Sequence, residues 1–132
     1  MALVKGDVRL EYGMLVQAGK SVTSGGTTKG NLQHFSSGWH EPGDEEAGPF
    51  AVAMNTVTPV TSVQSDIAVL VKGCIVMEST ETIGEQVYVV SAGSGKVKAF
   101  SSDGVEDIVG RTMCGYETVD GEYLVEVLVG GS

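Results

Sequence analysis

The run EYLVEVLV, Glu122 to Val129, decides the fold class. Strand side chains alternate with a period of two, so Tyr123, Val125, Val127 and Val129 share one face and Leu124, Glu126 and Leu128 the other. The first face is wholly apolar and has to be covered. Working back to Asp66, the same kind of run recurs: DIAVLVKGCIVM (66–77), QVYVV (86–90), KVKAF (96–100) and DIVGRTM (107–113), separated by glycine- and acid-bearing turns. In KVKAF, Val97 and Ala99 oppose Lys96 and Lys98, as expected of a strand with one wet face. SAGSG (91–95) joins two runs at hairpin spacing, and Asp120-Gly121 is a turn dipeptide placed just before EYLVEVLV.

The first half of the chain is less regular. VRLEYGMLV (8–16) predicts a strand interrupted at Gly13, and PFAVAMNTV (49–57) predicts another, with Phe50, Val52 and Met54 on one side. Between them, the polar, glycine-rich segment from Gln17 to Gly30 reads as a long loop or excursion, and Asn31 to Gly48 fits neither a strand nor a helix period. TPVTSVQSD (58–66) is a link. No segment sustains apolar residues at helical spacing over three turns, and glycines interrupt most candidates. The expectation is an all-β chain, a small antiparallel β-barrel or β-sandwich with a glycine-rich, irregular N-terminal half. It forms a single domain over 1–132, in which 1–49 supply an arm, loops and a strand and 50–132 the barrel or sandwich core.

Composition excludes several classes. A chain of 132 residues can bury roughly two thirds of its unfolded surface in one core without staples. Nineteen glycines against three prolines suit many tight turns rather than a proline-rich disordered tail. The net charge of −9, from 17 acids and eight bases with no basic cluster, repels phosphate backbones, so no nucleic-acid partner is expected. No apolar run reaches membrane-spanning length, and MALVKGDVRLEYG places acids where a signal peptide needs its apolar core, so folding in a cytosol without a membrane partner is expected. Cys74 and Cys114, both flanked by apolar strand residues, are expected as free buried thiols rather than a disulfide.

Chemistry-bearing motifs are few. AGSGKV (92–97) looks like a phosphate loop, but a Walker motif needs glycine where Val90 stands and Ser or Thr where Val97 stands. A hairpin turn explains its glycines. No serine sits in G-x-S-x-G. His34, His40 and Glu41 supply three possible metal ligands from one irregular segment, yet their spacing matches no defined zinc pattern, and loop histidines that hydrogen-bond or face solvent are expected. Asp44, Glu45 and Glu46 lack the calcium-loop arrangement and read as a solvated turn. Trp39, with Phe35 four residues before it, is either an exposed interface anchor or folds back with Phe35 to plug one end of the barrel. No catalytic residue, cofactor or metal is expected.

Read in order, the pieces D-I-A-V-L-V-K-G, E-T-I-G-E-Q-V-Y-V-V, G-S-G-K-V-K-A, I-V-G-R-T-M and Y-L-V-E-V-L-V resemble the small capsid decoration, or cement, proteins of tailed viruses. The likeness covers Asp66 to Val129. It includes the turn Ile83-Gly84-Glu85-Gln86-Val87-Tyr88, in a spacing the family would usually lengthen, and the strand Val109-Gly110-Arg111. GKSVTSGGTTKG and FSSGWHEPGDEEAG match no pattern of that family. The resemblance implies a non-enzymatic homo-oligomer, commonly a trimer, that clamps the outside of an icosahedral capsid, with the major capsid protein as partner. It implies residence on the capsid exterior of the virion and in the host cytoplasm before assembly. Leu3, Val4, Phe35, Trp39 and His40 are the candidate partner-facing residues. The alternatives are another virion component, such as a tail or head fibre, and a small metal- or ligand-binding β-barrel using His34, His40 and Glu41.

Overall fold

The computed structural model describes residues 3–21, 26–58, 65–101 and 107–130. These contain ten strands and no helix of α type: β1 (Val8–Ser21), β2 (Leu32–Phe35), β3 (Trp39–His40), β4 (Phe50–Ala53), β5 (Ser65–Ser79), β6 (Tyr88–Gly93), β7 (Lys96–Ala99), β8 (Ile108–Thr112), β9 (Glu117–Val119) and β10 (Glu122–Val129). The all-β class holds. Every run singled out between Asp66 and Val129 forms a strand, and the two hairpin turns fall where expected. Ser94 and Gly95 have φ of 55° and 76°, and Asp120 and Gly121 have 52° and 82°. Positive φ at both central residues is the mark of the type I′ turn, whose twist matches that of paired strands.

All ten strands belong to one sheet, whose hydrogen-bonded order closes on itself twice. β5 runs through both closures. Around its N-terminal half the order is β5-β1-β3-β2-β4 and back to β5; around its C-terminal half it is β5-β10-β8-β6-β7 and back to β5. The choice between barrel and sandwich thus resolves into two small rings sharing one long strand. The sheet is mixed rather than purely antiparallel, because each ring is completed by a single parallel pairing, Ser21 with Trp39 and Ser79 with Val97.

Gly73 lets one strand serve both rings. Upstream of it Ile67 and Val69 face one apolar cluster, with Trp39, Ala51, Ala53 and Val57, while Leu70 faces another. Downstream, Ile75 and Met77 face that second cluster, with Val89, Val97, Val109, Val125, Val127 and Val129. The parity of the residues that face this second cluster therefore changes, from even at Leu70 to odd at Ile75, across Gly73, whose φ is 143° and where a Cβ would stand 3.0 Å from the Gly13 carbonyl oxygen. Opposite it β1 jumps register from Arg9–Cys74 to Met14–Gly73, the interruption predicted near Gly13. Arg9 then reaches across β5 to β10, where its Nε lies 3.2 Å from Glu126 Oε2, and the carboxylate strengthens the guanidinium's hold on its proton.

The N-terminal half is more ordered than its composition predicts. β1 continues through Gln17 to Ser21, and the segment Asn31 to Gly48 contributes β2 and β3, with Leu32 and Trp39 in the core. The described residues before Gly48 thus supply β1, β2 and β3, three of the five strands in the wall of the first ring. Residues 22–25 of the expected excursion and 59–64 of the expected link lie outside the described residues. PFAVAMNTV behaves as read: Val52 enters one cluster with Phe50 and Met54 packed on it, while Ala51 and Ala53 enter the other.

Candidate functional site

Met14, Leu15 and Val16 stand in the middle of β1, yet they are 49%, 57% and 41% exposed. Three apolar residues in a row cannot share one face of a strand. Here neither face is covered; in addition β1 at this point is bonded only along the edge it shares with β5, and among the described residues its other edge is joined only at Ser21. The result is an apolar strand with a free hydrogen-bonding edge, which folded proteins ordinarily blunt or cover. Beside it, Gln17 to Lys20, Phe35 and Trp39 line a groove of about 310 Å³. Phe35 is 45% exposed, and Lys20 at the end of the strand is paired with Asp66.

The sequence-predicted partner-facing residues divide. Val4 and Phe35 are exposed, whereas Leu3 is buried against Val76 and Leu124, and Trp39 is buried within the first ring. Trp39 takes the plugging role, and Phe35 meets it edge-on at 5.3 Å while keeping a face to solvent. The indole fits because Gly19 opposes it: a Cβ there would lie 2.7 Å from Trp39 Nε1. Gly19→Ala is therefore expected to cost about 1–3 kcal/mol through overpacking and to change the emission of this lone tryptophan. Urea unfolding followed by fluorescence measures both effects.

His40 is half-buried and joined to His34. The two Nε2 atoms are 2.6 Å apart, and His34 Nδ1 lies 3.2 Å from the Ala47 carbonyl oxygen. A carbonyl only accepts, so His34 carries its proton on Nδ1 and its Nε2 accepts from Nε2–H of His40. His40 Nδ1 is then bare, buried and without a partner. Burial, His34 and Glu46 act on His40, the first two lowering and the last raising its pKa, with a net shift below the usual imidazole value.

Glu41 does not join them. It accepts from Thr27 Oγ1 at 2.7 Å and Asn31 Nδ2 at 2.6 Å, while the carboxylate beside the histidines is Glu46, 3.4 Å from His34 Nε2. Among the described residues no group of three or more His, Cys, Asp and Glu side chains is placed to hold a metal ion. The acidic turn is pinned rather than merely solvated, since Lys98 Nζ bonds Asp44 at 2.8 Å and Glu45 at 2.6 Å, and both carboxylates raise the lysine's pKa. Both cysteines are free, as expected, but only Cys74 is buried; Cys114 lies in the exposed stretch after β8.

Compared with family models, curated proteins and solved structures, the chain matches none. Among the described residues no helix is long and apolar enough to cross a membrane. The feature missed in the sequence is the exposure of Met14 to Val16. Its signal is present, in an unalternating apolar triplet directly after the break at Gly13.

Proposed function

We propose that this chain is a viral structural protein, a head decoration subunit that binds the major capsid protein on the outside of an icosahedral shell. The reading rests on the ordered likeness of Asp66 to Val129 to cement proteins, and the observation that carries the binding role is the bare apolar edge of β1. An edge with free N–H and C=O groups and exposed Met14, Leu15 and Val16 suits a partner that adds backbone hydrogen bonds and apolar contact together. The subunit acts without catalysis, as one member of a homotrimer whose repeated weak contacts add through avidity, by about 10²- to 10⁴-fold where geometry permits simultaneous engagement. Its acidic surface keeps the free protein soluble in the host cytoplasm before assembly.

The test is co-sedimentation with shells assembled from the major capsid protein encoded beside its gene. Wild type is expected in the pellet, and a chain left in the supernatant overturns the reading. A Leu15→Asp, Val16→Asp double variant, both positions being solvent-exposed, is expected to fold normally yet lose shell binding by tenfold or more, since each charge would have to be desolvated at the contact. Light scattering of the isolated protein checks the trimer.

A further inference from the structure

His34 and His40 are opposed residues of β2 and β3, and the paired ladder between those strands consists of His34 with His40 and Phe35 with Trp39. Trp39 also makes the parallel pairing with Ser21 that completes the first ring. The contact between the two imidazoles therefore sits on the joint that closes the ring. We infer that the histidine pair is a proton-operated latch, which holds β3 in place while the pair carries no more than one positive charge and releases it when both rings are imidazolium.

The geometry carries the argument. With Nε2 atoms 2.6 Å apart, one proton between them makes a hydrogen bond, but two leave N–H groups pointing at each other with no acceptor. A first added proton is accommodated at the bare Nδ1 of His40, which leaves a single proton on the 2.6 Å contact and Glu46 3.4 Å from His34 Nε2. A second has no such place. The charged groups that act on His40 are His34 and Glu46. Glu41 is turned to Thr27 and Asn31, and Asp44 and Glu45 are held by Lys98, so a single carboxylate faces two prospective positive charges. On β4 the residue opposite His34 is Phe50, which is uncharged.

The direction in pH follows from linkage. His40 binds its proton less readily in the folded chain than at the ordinary value of 6.5, so the unfolded or opened chain takes up more protons below that value. The closed joint is fully stable above about pH 6.5 and loses stability as pH falls from there toward the depressed folded value.

The experiment titrates the metal-free 132-residue chain from pH 8 to 5, following Trp39 emission, far-ultraviolet circular dichroism and the histidine ring signals by NMR. The expected result is a reversible red shift of Trp39 emission below about pH 6.5 with strand content retained, and two histidine titrations separated by more than about one unit. His40→Gln, which can still donate to His34 but cannot take a proton, is expected to abolish the red shift. Glu46→Gln removes the carboxylate that tolerates charge in the closed form and is expected to move the midpoint to higher pH. Two independent titrations near the ordinary value, or the same red shift in His40→Gln, overturn the latch. So does stoichiometric zinc binding by both rings at neutral pH in a parallel titration with zinc, because the pair would then be a ligand set.

Discussion

Gly110→Ala is expected to destabilise the protein by about 3 kcal/mol or more, at or beyond the upper end of ordinary overpacking. Gly110 lies inside β8, buried, opposite Val89 of β6 on one side and Val129 of β10 on the other. A Cβ at this position would run into the carbonyl oxygen of Leu128 and approach its carbonyl carbon to 2.9 Å and the Cα of Val129 to 3.2 Å. These atoms belong to the neighbouring backbone, so no rotamer change relieves the clash. The ladder between β8 and β10 has to spread, and with it the Val109, Val127 and Val129 packing of the second ring. A melting experiment reads the result as a fall in Tm on the order of 10 °C. A Tm within roughly one or two degrees of wild type would show that the ladder yields easily and would contradict the account.

Leu70→Ala carries the second large effect, an expected loss of about 2–5 kcal/mol. Leu70 is fully buried on β5, paired with Val16 of β1 and Val52 of β4, and packs into the cluster that lines the second ring. It is thus a residue of the first ring's wall whose side chain serves the second ring's core. Denaturant unfolding should shift to lower midpoint with an unchanged slope, and Trp39 fluorescence and far-ultraviolet circular dichroism should move together. Trp39 reports the first ring, while the strand signal is dominated by both. If the fluorescence transition stayed in place while the other moved, the rings would be separate folding units and the shared role of β5 would be wrong.

Strand identity was legible wherever alternation or turn chemistry was local. EYLVEVLV, KVKAF and PFAVAMNTV declare their inward faces, and Asp120-Gly121 declares its turn, because each depends on neighbours within a few residues. β3 was invisible for the opposite reason: Trp39 and His40 are only a two-residue strand, and its place is set by partners at Ser21, His34 and Phe35. The double closure could not be read either, since it depends on which distant strands flank each half of β5. Gly73 marks the switch between the halves, but a lone glycine in a strand equally suits a simple bulge. Of the apolar residues singled out in irregular text, Phe35 and Val4 are exposed, and Phe35 lines the groove beside β1. Leu3 and Trp39 share that character and are nevertheless buried, because partners far along the chain cover them.

The strand common to both rings also constrains the order in which the protein can be completed as it is made. β5 is flanked along its N-terminal half by β1 and β4, both already synthesised, so the first ring can close as soon as β5 emerges. Its C-terminal half waits for β10, which follows β6 to β9, and until then Ile75 and Met77 lack the Val125 and Val127 side chains that cover them. During that interval the nascent chain presents two apolar edges at once, that of β1 at Met14 to Val16, which is unpaired among the described residues, and a temporary one on β5. Chaperone dependence and inclusion-body formation should therefore respond to the speed of translation between β5 and β10 far more than to changes before β5.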